Sequence, residues 1–371
     1  MKGRPALFTT YEADQAPLGS ATRRIWFTLM MAFLIVLPLQ LDSELNALMA
    51  TAFLAAIGAI GLNLVTGWAG QISLGHAFFL GLGAYTGAVV AGEKGGSTTG
   101  LGLDMALWLP ASGLAAALVG LAVAPLATRL RGQYLAIVTL GLVFLGGHLF
   151  NQMKSITGGA GVGREAPDLV LFGVDLETTT SLFGLVALDR DMKLYLLSLA
   201  LLVVFAVLAK NLTRSAVGRA FAAVRDRDLA AAVMGVDLTK QKLIAFTVSS
   251  FYAGIAGAML ATVTGFIEPG TYDLFLSVEF LAMILIGGAG TLAGALMGAA
   301  FVTLLPRLVE EFPSFLPFIT TDSTGGFLTT FQLQTIIYGA LIVVFLIAEP
   351  RGLFGLWVRA RNYFRAWPFS Y

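Results

Sequence analysis

At 371 residues the chain is 57% hydrophobic and 12% charged, with a net charge of +1 and a mean hydropathy of +0.83. Soluble domains carry about 25% charged residues, so this surface cannot be coated for water and most of it must face lipid. The near-neutral balance argues against nucleic acid as a partner. Zero cysteines and two histidines, His76 and His148, exclude disulfides, thiolate metal sites and a cysteine nucleophile, and no metal or other cofactor is expected.

A spanning helix needs about 20 apolar residues. By that measure a tail over 1–24 precedes candidate segments at 25–41, 47–66, 72–91, 105–128, 134–152, 194–209, 243–265, 275–288, 291–306 and 329–348, and a second tail covers 349–371. The pattern is that of an all-α polytopic membrane protein with about ten transmembrane segments. Arg23 and Arg24 precede the first apolar run, but the run is long for a signal core and no small-x-small site follows, so it reads as a retained span. Segment 194–209 is short, and the stems of its flanking Lys193 and Lys210 extend it. Segment 275–288 ends in Gly287-Gly288-Ala289-Gly290 and reads as a partial or broken helix, tolerated where protein or a water-filled cavity covers the freed backbone.

Lysine and arginine near the spans set the orientation. Lys2, Arg4, Arg23 and Arg24, then Arg129 and Arg131, then the 210–242 loop, then Arg351, Arg359, Arg361 and Arg365 all fall on one side. The opposite connections hold mainly acids, among them Asp42, Glu44, Glu268, Asp273, Glu310 and Glu311, while 153–193 is mixed and external. This gives both termini in the cytoplasm. It also gives two halves that cross in the same sense, 25–128 and 243–348. Each has a glycine-rich stretch at its second turn: Gly67-Trp68-Ala69-Gly70 and Gly287 to Gly294. Interruptions at matching places point to a parallel internal repeat and to a transport path.

Gly61 to Tyr85 sets Asn63, Gln71, Ser73, His76 and Tyr85 at membrane depth. Polar groups there must face a cavity or one another. Each one alone also fits interhelical hydrogen bonding; clustered at a glycine-rich break, they read as a path lining. His76 has no neighbouring ligands that suit a metal. Glu279 is an intramembrane acid, a functional candidate by default, though its place near the outer end also fits plain hydration. Gly290, Gly294 and Gly298, like Gly83 and Gly87, are spaced for tight helix packing. Thr157 to Gly163 resembles a phosphate loop only superficially, and no GxxxxGK[ST] occurs, so Walker-type ATP binding is not expected on this chain. As the longest external connection, that region reads either as a partner contact or as a solvated loop.

The 210–242 loop carries the most specific soluble feature. Arg219 to Val236 reads as a single helix closed by Gly235, with Arg225-Asp226-Arg227-Asp228 at its centre. The alternating charges suit a groove on a partner protein better than a bilayer surface.

Taken together, Gly61–Ala84, Arg129–Leu140, Thr157–Gly159, Gly218–Arg225 through Gly235, Gly287–Thr291 and Pro350–Gly355 resemble the LivM-type permease subunits of bacterial ABC importers for branched-chain amino acids. The likeness covers nearly all of 47–356. It implies alternating access, a LivH-type second permease subunit, two ATPase subunits below and a periplasmic binding protein above, in the inner membrane. It also adds Thr139, in the Arg129–Leu140 stretch, to the path, and assigns Arg219, Arg225, Asp228 and Gly235 to ATPase coupling. Relatives often carry an acid near Ala232, where this chain has Ala230-Ala231-Ala232, so contacts there fall to Arg225, Asp228 or the backbone. The same scaffold also resembles importers of urea and short amides. An ion-coupled transporter working alone is a reading of another class, disfavoured because few ionisable residues lie in the spans.

Overall fold

The computed structural model describes residues 21–366 apart from 93–97, 130–132, 160, 179, 183–185, 311–318, 321–327, 330–335, 338, 345–346, 348 and 350. Half of segment 329–348 lies outside the described residues, as does the whole tail up to residue 20.

Helix α1 spans Ala21–Val36, with a 3-10 turn at Leu37–Leu39. Arg23 and Arg24 therefore belong to the helix and not to a separate tail. Helix α2, Ser43–Asn63, continues through a wide π turn at Leu64–Trp68. Then come α3 at His76–Ala91, α4 at Met105–Arg129, α5 at Gln133–Gln152 and α6 at Arg190–Arg214. Two short helices, α7 at Ala216–Asp226 and α8 at Asp228–Val233, lead into α9 at Leu238–Thr264. Helices α10 at Leu274–Gly287, α11 at Leu292–Glu310 and α12 at Gly352–Ala366 follow. Among the described residues, α2, α4, α5, α6 and α9 are long and apolar enough to cross a bilayer, and α1, α3, α10 and α11 are apolar but shorter.

Helices α2 and α9 form the centre. Helix α9 packs on α4, α3 and α2, and α2 packs on α6 and α11. Small residues allow the approach. A Cβ on Gly83 would fall on the backbone of Gly254, one on Gly257 on the backbone of Leu80, and one on Gly61 against Tyr252. Helices α10 and α11 fold back on each other the same way, with Gly287, Gly294 and Gly298 set against facing backbone. Gly87 lies against Ser112 and Pro167. Van der Waals contact drives this packing, since lipid is as apolar as the side chains. Gly83→Leu should lower the yield of monodisperse detergent-extracted protein severalfold, because α3 and α9 must separate. Gly141→Ala, where an added Cβ meets nothing within 4 Å, should leave the size-exclusion profile unchanged.

Three expectations need correction. The 72–91 segment is not a continuous helix: residues 69–75 are irregular and α3 starts only at His76. Gly70 takes a φ of +69°, which turns the chain back into the bundle. Side chains then replace the missing ladder. Leu74 N donates to Thr139 Oγ1 at 2.9 Å, Ala77 N to Ser277 Oγ at 2.9 Å, and Thr66 Oγ1 to the Gln71 carbonyl at 3.1 Å. His76 hydrogen-bonds the backbone of Gly58, roughly 15 Å along α2 from Trp68 at 1.5 Å per residue, so α3 begins deep inside the bundle.

The second correction concerns 210–242. Helices α6 and α9 absorb both ends, leaving 215–237 as the connection. The third is that 219–236 is not one helix. Arg227 is extended, with φ −156° and ψ 98°, between α7 and α8. Arg225 then occupies the last turn of α7 and Asp228 the first turn of α8, each the sign that its helix end favours. Ser215 caps α7 by accepting from Gly218 N, and Gly235, at φ +86°, lies just past α8.

At the other end of the bundle the 153–193 connection forms short strand pairs. Arg164–Glu165 pairs with Phe266–Ile267, and Val170–Leu171 with Val174–Asp175. Arg164 is buried and donates to the carbonyls of Ala88 at 2.6 Å, Ile156 at 2.7 Å and Thr99 at 2.9 Å, closing the end of α3. Burial pushes its guanidinium below the ordinary arginine range, partly offset by Tyr85.

Candidate functional site

The two glycine breaks, far apart in sequence, meet. Asn63 is fully buried at the end of α2. Its Nδ2 donates to the Thr291 carbonyl at 2.8 Å, and its Oδ1 accepts from Gly290 N at 2.8 Å. One side chain therefore satisfies both backbone groups at the α10–α11 turn. That turn needs positive φ at Gly288 (+123°) and Gly290 (+77°), which glycine adopts freely. Gly67 lies directly against Asn63 Oδ1 and Gly290 N, so a Cβ there would part the breaks.

Arg225 closes the arrangement from α7. Its Nη1 donates to the Gly67 carbonyl at 3.0 Å, its stem covers Gly70, and the guanidinium reaches Gly290. Its other bond, to Asp226 at 3.0 Å, is largely exposed and contributes little. Phe221 and Val224, both buried, fix α7 on the bundle. The 215–237 connection is therefore hydrogen-bonded to the first break and lies in contact with the second.

Two cavities lie toward opposite ends of α9, a helix roughly 40 Å long. One, of about 230 Å³, is lined by Gln71, Val224, Arg225 and Asp228, with Lys242 at its rim. The other, of about 480 Å³, is lined by Thr51, Leu80, Glu268, Tyr272, Glu279 and Phe280, with further apolar residues such as Met283. The expected path residues divide between them. Gln71 faces the smaller cavity and Glu279 the larger. His76 lies behind Phe280, with ring centroids 5.0 Å apart, and Tyr85 behind Tyr272 at 6.0 Å. Thr139 holds Leu74, and Ser73 Oγ accepts from Gly75 N at 3.4 Å, so these two secure the irregular segment and do not reach either cavity.

Gln71 Nε2 and Oε1, His76 Nε2 and the Tyr85 hydroxyl are buried without a hydrogen-bond partner. Buried polar atoms normally have one. Strung along 71–85, from the wall of the smaller cavity to the rings behind the larger one, they form a line of unmet polar capacity.

Arg219 sits on the solvent side of α7 and donates to the Arg214 carbonyl at 3.2 Å. Asp228 opens α8 with a bond from Leu229 N at 2.8 Å. Among the four expected coupling residues, Arg225 bonds to the first break. Sequence reading missed Thr291 and Ser277, whose backbone and hydroxyl contacts span 228 and 200 residues, and it missed Phe280 and Tyr272 as aromatic walls. Only the glycines flanking Thr291 signalled that region.

The chain matches the family described as branched-chain amino acid transport system / permease component over residues 45–346. It is 28% identical over 348 residues to the high-affinity branched-chain amino acid transport system permease protein LivM of Escherichia coli (strain K12), covering 90% of this chain and 76% of that protein. To LivM of Salmonella typhimurium (strain LT2) it is 29% identical over 351 residues, with the same coverage. A shorter likeness, 34% over 137 residues, links it to the autoinducer 2 import system permease protein LsrC of Enterobacter sp. (strain 638), covering 35% of this chain and 40% of that one. No solved structure matches it. With five helices long and apolar enough to cross a bilayer and a family match over most of its length, the chain is a multi-pass membrane protein belonging to the branched-chain amino acid transport system permease family, a transport subunit and not itself an enzyme.

Proposed function

We propose that this chain is the permease subunit of an ABC importer that moves branched-chain or related hydrophobic amino acids into the cytoplasm by alternating access. In this reading it has ten spans with both termini inside, in the bacterial inner membrane. It pairs with a LivH-type permease, two ATPase subunits and a periplasmic binding protein. The observation that carries it is the Arg225 link: the loop that would dock on the ATPase is hydrogen-bonded to Gly67 and touches Gly290, so force on α7 acts on both helix breaks at once. The parallel repeat is supported by the same contact, since the two breaks occupy matching places in the halves.

Two cavities toward opposite ends, separated by a closed core around Phe280 and His76, suit a protein that opens to one side at a time. The larger cavity combines apolar walls with the carboxylates of Glu268 and Glu279. That chemistry fits a zwitterion with an apolar tail: the ammonium finds a carboxylate and the tail finds Leu80, Phe280 and Met283. Urea would leave the apolar wall unused. The LivM relatives favour the same substrate class.

The experiment is uptake of labelled leucine and labelled urea in a host lacking its own importers, with the co-encoded subunits expressed with and without this chain. ATP-dependent leucine uptake that needs this chain is the expected result. Urea uptake would move the substrate, and uptake without ATPase partners would overturn the importer reading. Glu279→Gln is expected to raise the concentration for half-maximal leucine uptake roughly ten- to a hundredfold, since a charge-assisted hydrogen bond is worth roughly 1.5–3 kcal/mol. An unchanged dependence would remove Glu279 from the path.

A further inference from the structure

We infer that α12 is an interfacial anchor that binds the anionic headgroups of the leaflet at the α7–α8 end of the bundle. From Arg351 to Tyr371 the sequence carries Arg351, Arg359, Arg361 and Arg365 and not one acid. At about 100° per residue, Tyr363, Leu356, Ala360, Leu353, Phe364 and Trp357 gather on one arc of α12, and Arg359 and Arg361 stand at its two edges. An apolar arc with Trp and Tyr, flanked by arginines, is the pattern of a helix lying in the plane of a bilayer surface.

The exposures agree. Trp357 and Tyr363 are each 57% exposed and Phe364 75%, so the last turns offer aromatic surface that the bundle does not cover. The first turn is fixed. Gly352, at φ +62°, sits against the Ile286 carbonyl and Gly288 N, and Gly288 in turn lies against the Arg351 carbonyl and Phe354. Leu353 packs on the core. Arg359 is held by Glu349 at 2.6 Å, which fixes its edge of the arc, while Arg361 on the other edge is exposed. Gly288 belongs to the same turn whose Gly290 meets Arg225, so α12 leaves the bundle at the α7–α8 end. At that end of the bundle α12 meets the lipid headgroups, and the charge complement of the exposed Arg361 is an anionic lipid. The anchor joins the leaflet directly to the second helix break.

The inference rests on the reading above that this end faces the cytoplasm, where anionic lipid is concentrated. That side is testable separately, with an impermeant maleimide on intact spheroplasts. The chain has no native cysteine, so Leu356→Cys and Asn362→Cys can each carry a single nitroxide in the complete importer, reconstituted into phosphatidylcholine vesicles with or without phosphatidylglycerol. In the anionic vesicles the label at 356 should be accessible to oxygen and shielded from a water-soluble nickel chelate, and the label at 362 the reverse. Each arginine near an anionic surface shifts partitioning about fivefold, so Arg361→Gln with Arg365→Gln should lower the buried-to-exposed ratio at 356 roughly twenty-fivefold. Nickel access at 356 in both lipid mixtures would overturn the anchor. So would equal shielding in both mixtures, which makes the face apolar without headgroup binding, or shielding that requires the ATPase subunits, which makes it a protein contact.

Discussion

Arg225→Ala should leave the chain inserted and assembled but reduce substrate-stimulated ATP hydrolysis and uptake roughly ten- to a hundredfold. The bound comes from one interaction. A hydrogen bond from a charged donor is worth about 1.5–3 kcal/mol, and each 1.36 kcal/mol is tenfold. A contact can bias the coupled state by no more than its differential free energy. Arg225 bonds to the Gly67 carbonyl and to the Asp226 carboxylate, and the first is the one that joins α7 to the break. Asp226→Ala removes only the exposed pair and should change activity less than twofold. Uptake near the unsubstituted level in Arg225→Ala, or equal losses in both variants, would show that the Gly67 bond does not transmit coupling.

Asn63→Leu should have the largest effect on stability. The substitution keeps approximate volume but strands the Gly290 N–H and leaves the Thr291 carbonyl with Ala295 N, at 3.2 Å, in place of its shorter bond from Asn63. An unmet buried backbone group costs about 1–3 kcal/mol, and the Gly290 N–H is that group here. The checks are the melting temperature of the detergent-extracted chain and its recovery after mild heating; both should fall clearly. Gly67→Ala should produce the same phenotype by steric means, because its Cβ would land between Asn63 and Gly290. A melting temperature for Asn63→Leu within a degree of the unsubstituted chain would remove the clamp from the account of the fold.

Much of the scaffold was legible because lipid imposes a simple rule: a backbone in hydrocarbon must satisfy its own hydrogen bonds. The apolar runs therefore marked α4, α5 and α9 to within a few residues, and Gly83, Gly290, Gly294 and Gly298 marked close backbone approaches. The polar cluster from Asn63 to Tyr85 was visible as a set of groups that a bilayer cannot hold unpaired.

Which partner each group took could not be read from the chain. Asn63 reaches Gly290 and Thr291, Leu74 reaches Thr139, and Ala77 reaches Ser277. All are contacts between elements that the sequence keeps apart, and no local pattern encodes a pairing of this range. The glycine-rich interruption at 67–70 was legible, but the irregular backbone of 72–75 was hidden for a related reason. Its residues are apolar enough to read as helix, and only side chains from α5 and α10 let the backbone leave the ladder. The bend at Arg227 divided an apparently continuous helix because α7 and α8 place opposite charges at their facing ends. The sequence by itself determined that this protein lies in a membrane, where its helices run and which groups require partners. The tertiary structure decided that one asparagine joins the two breaks and one arginine ties them to the surface, because hydrogen bonds select by distance in space and not along the chain.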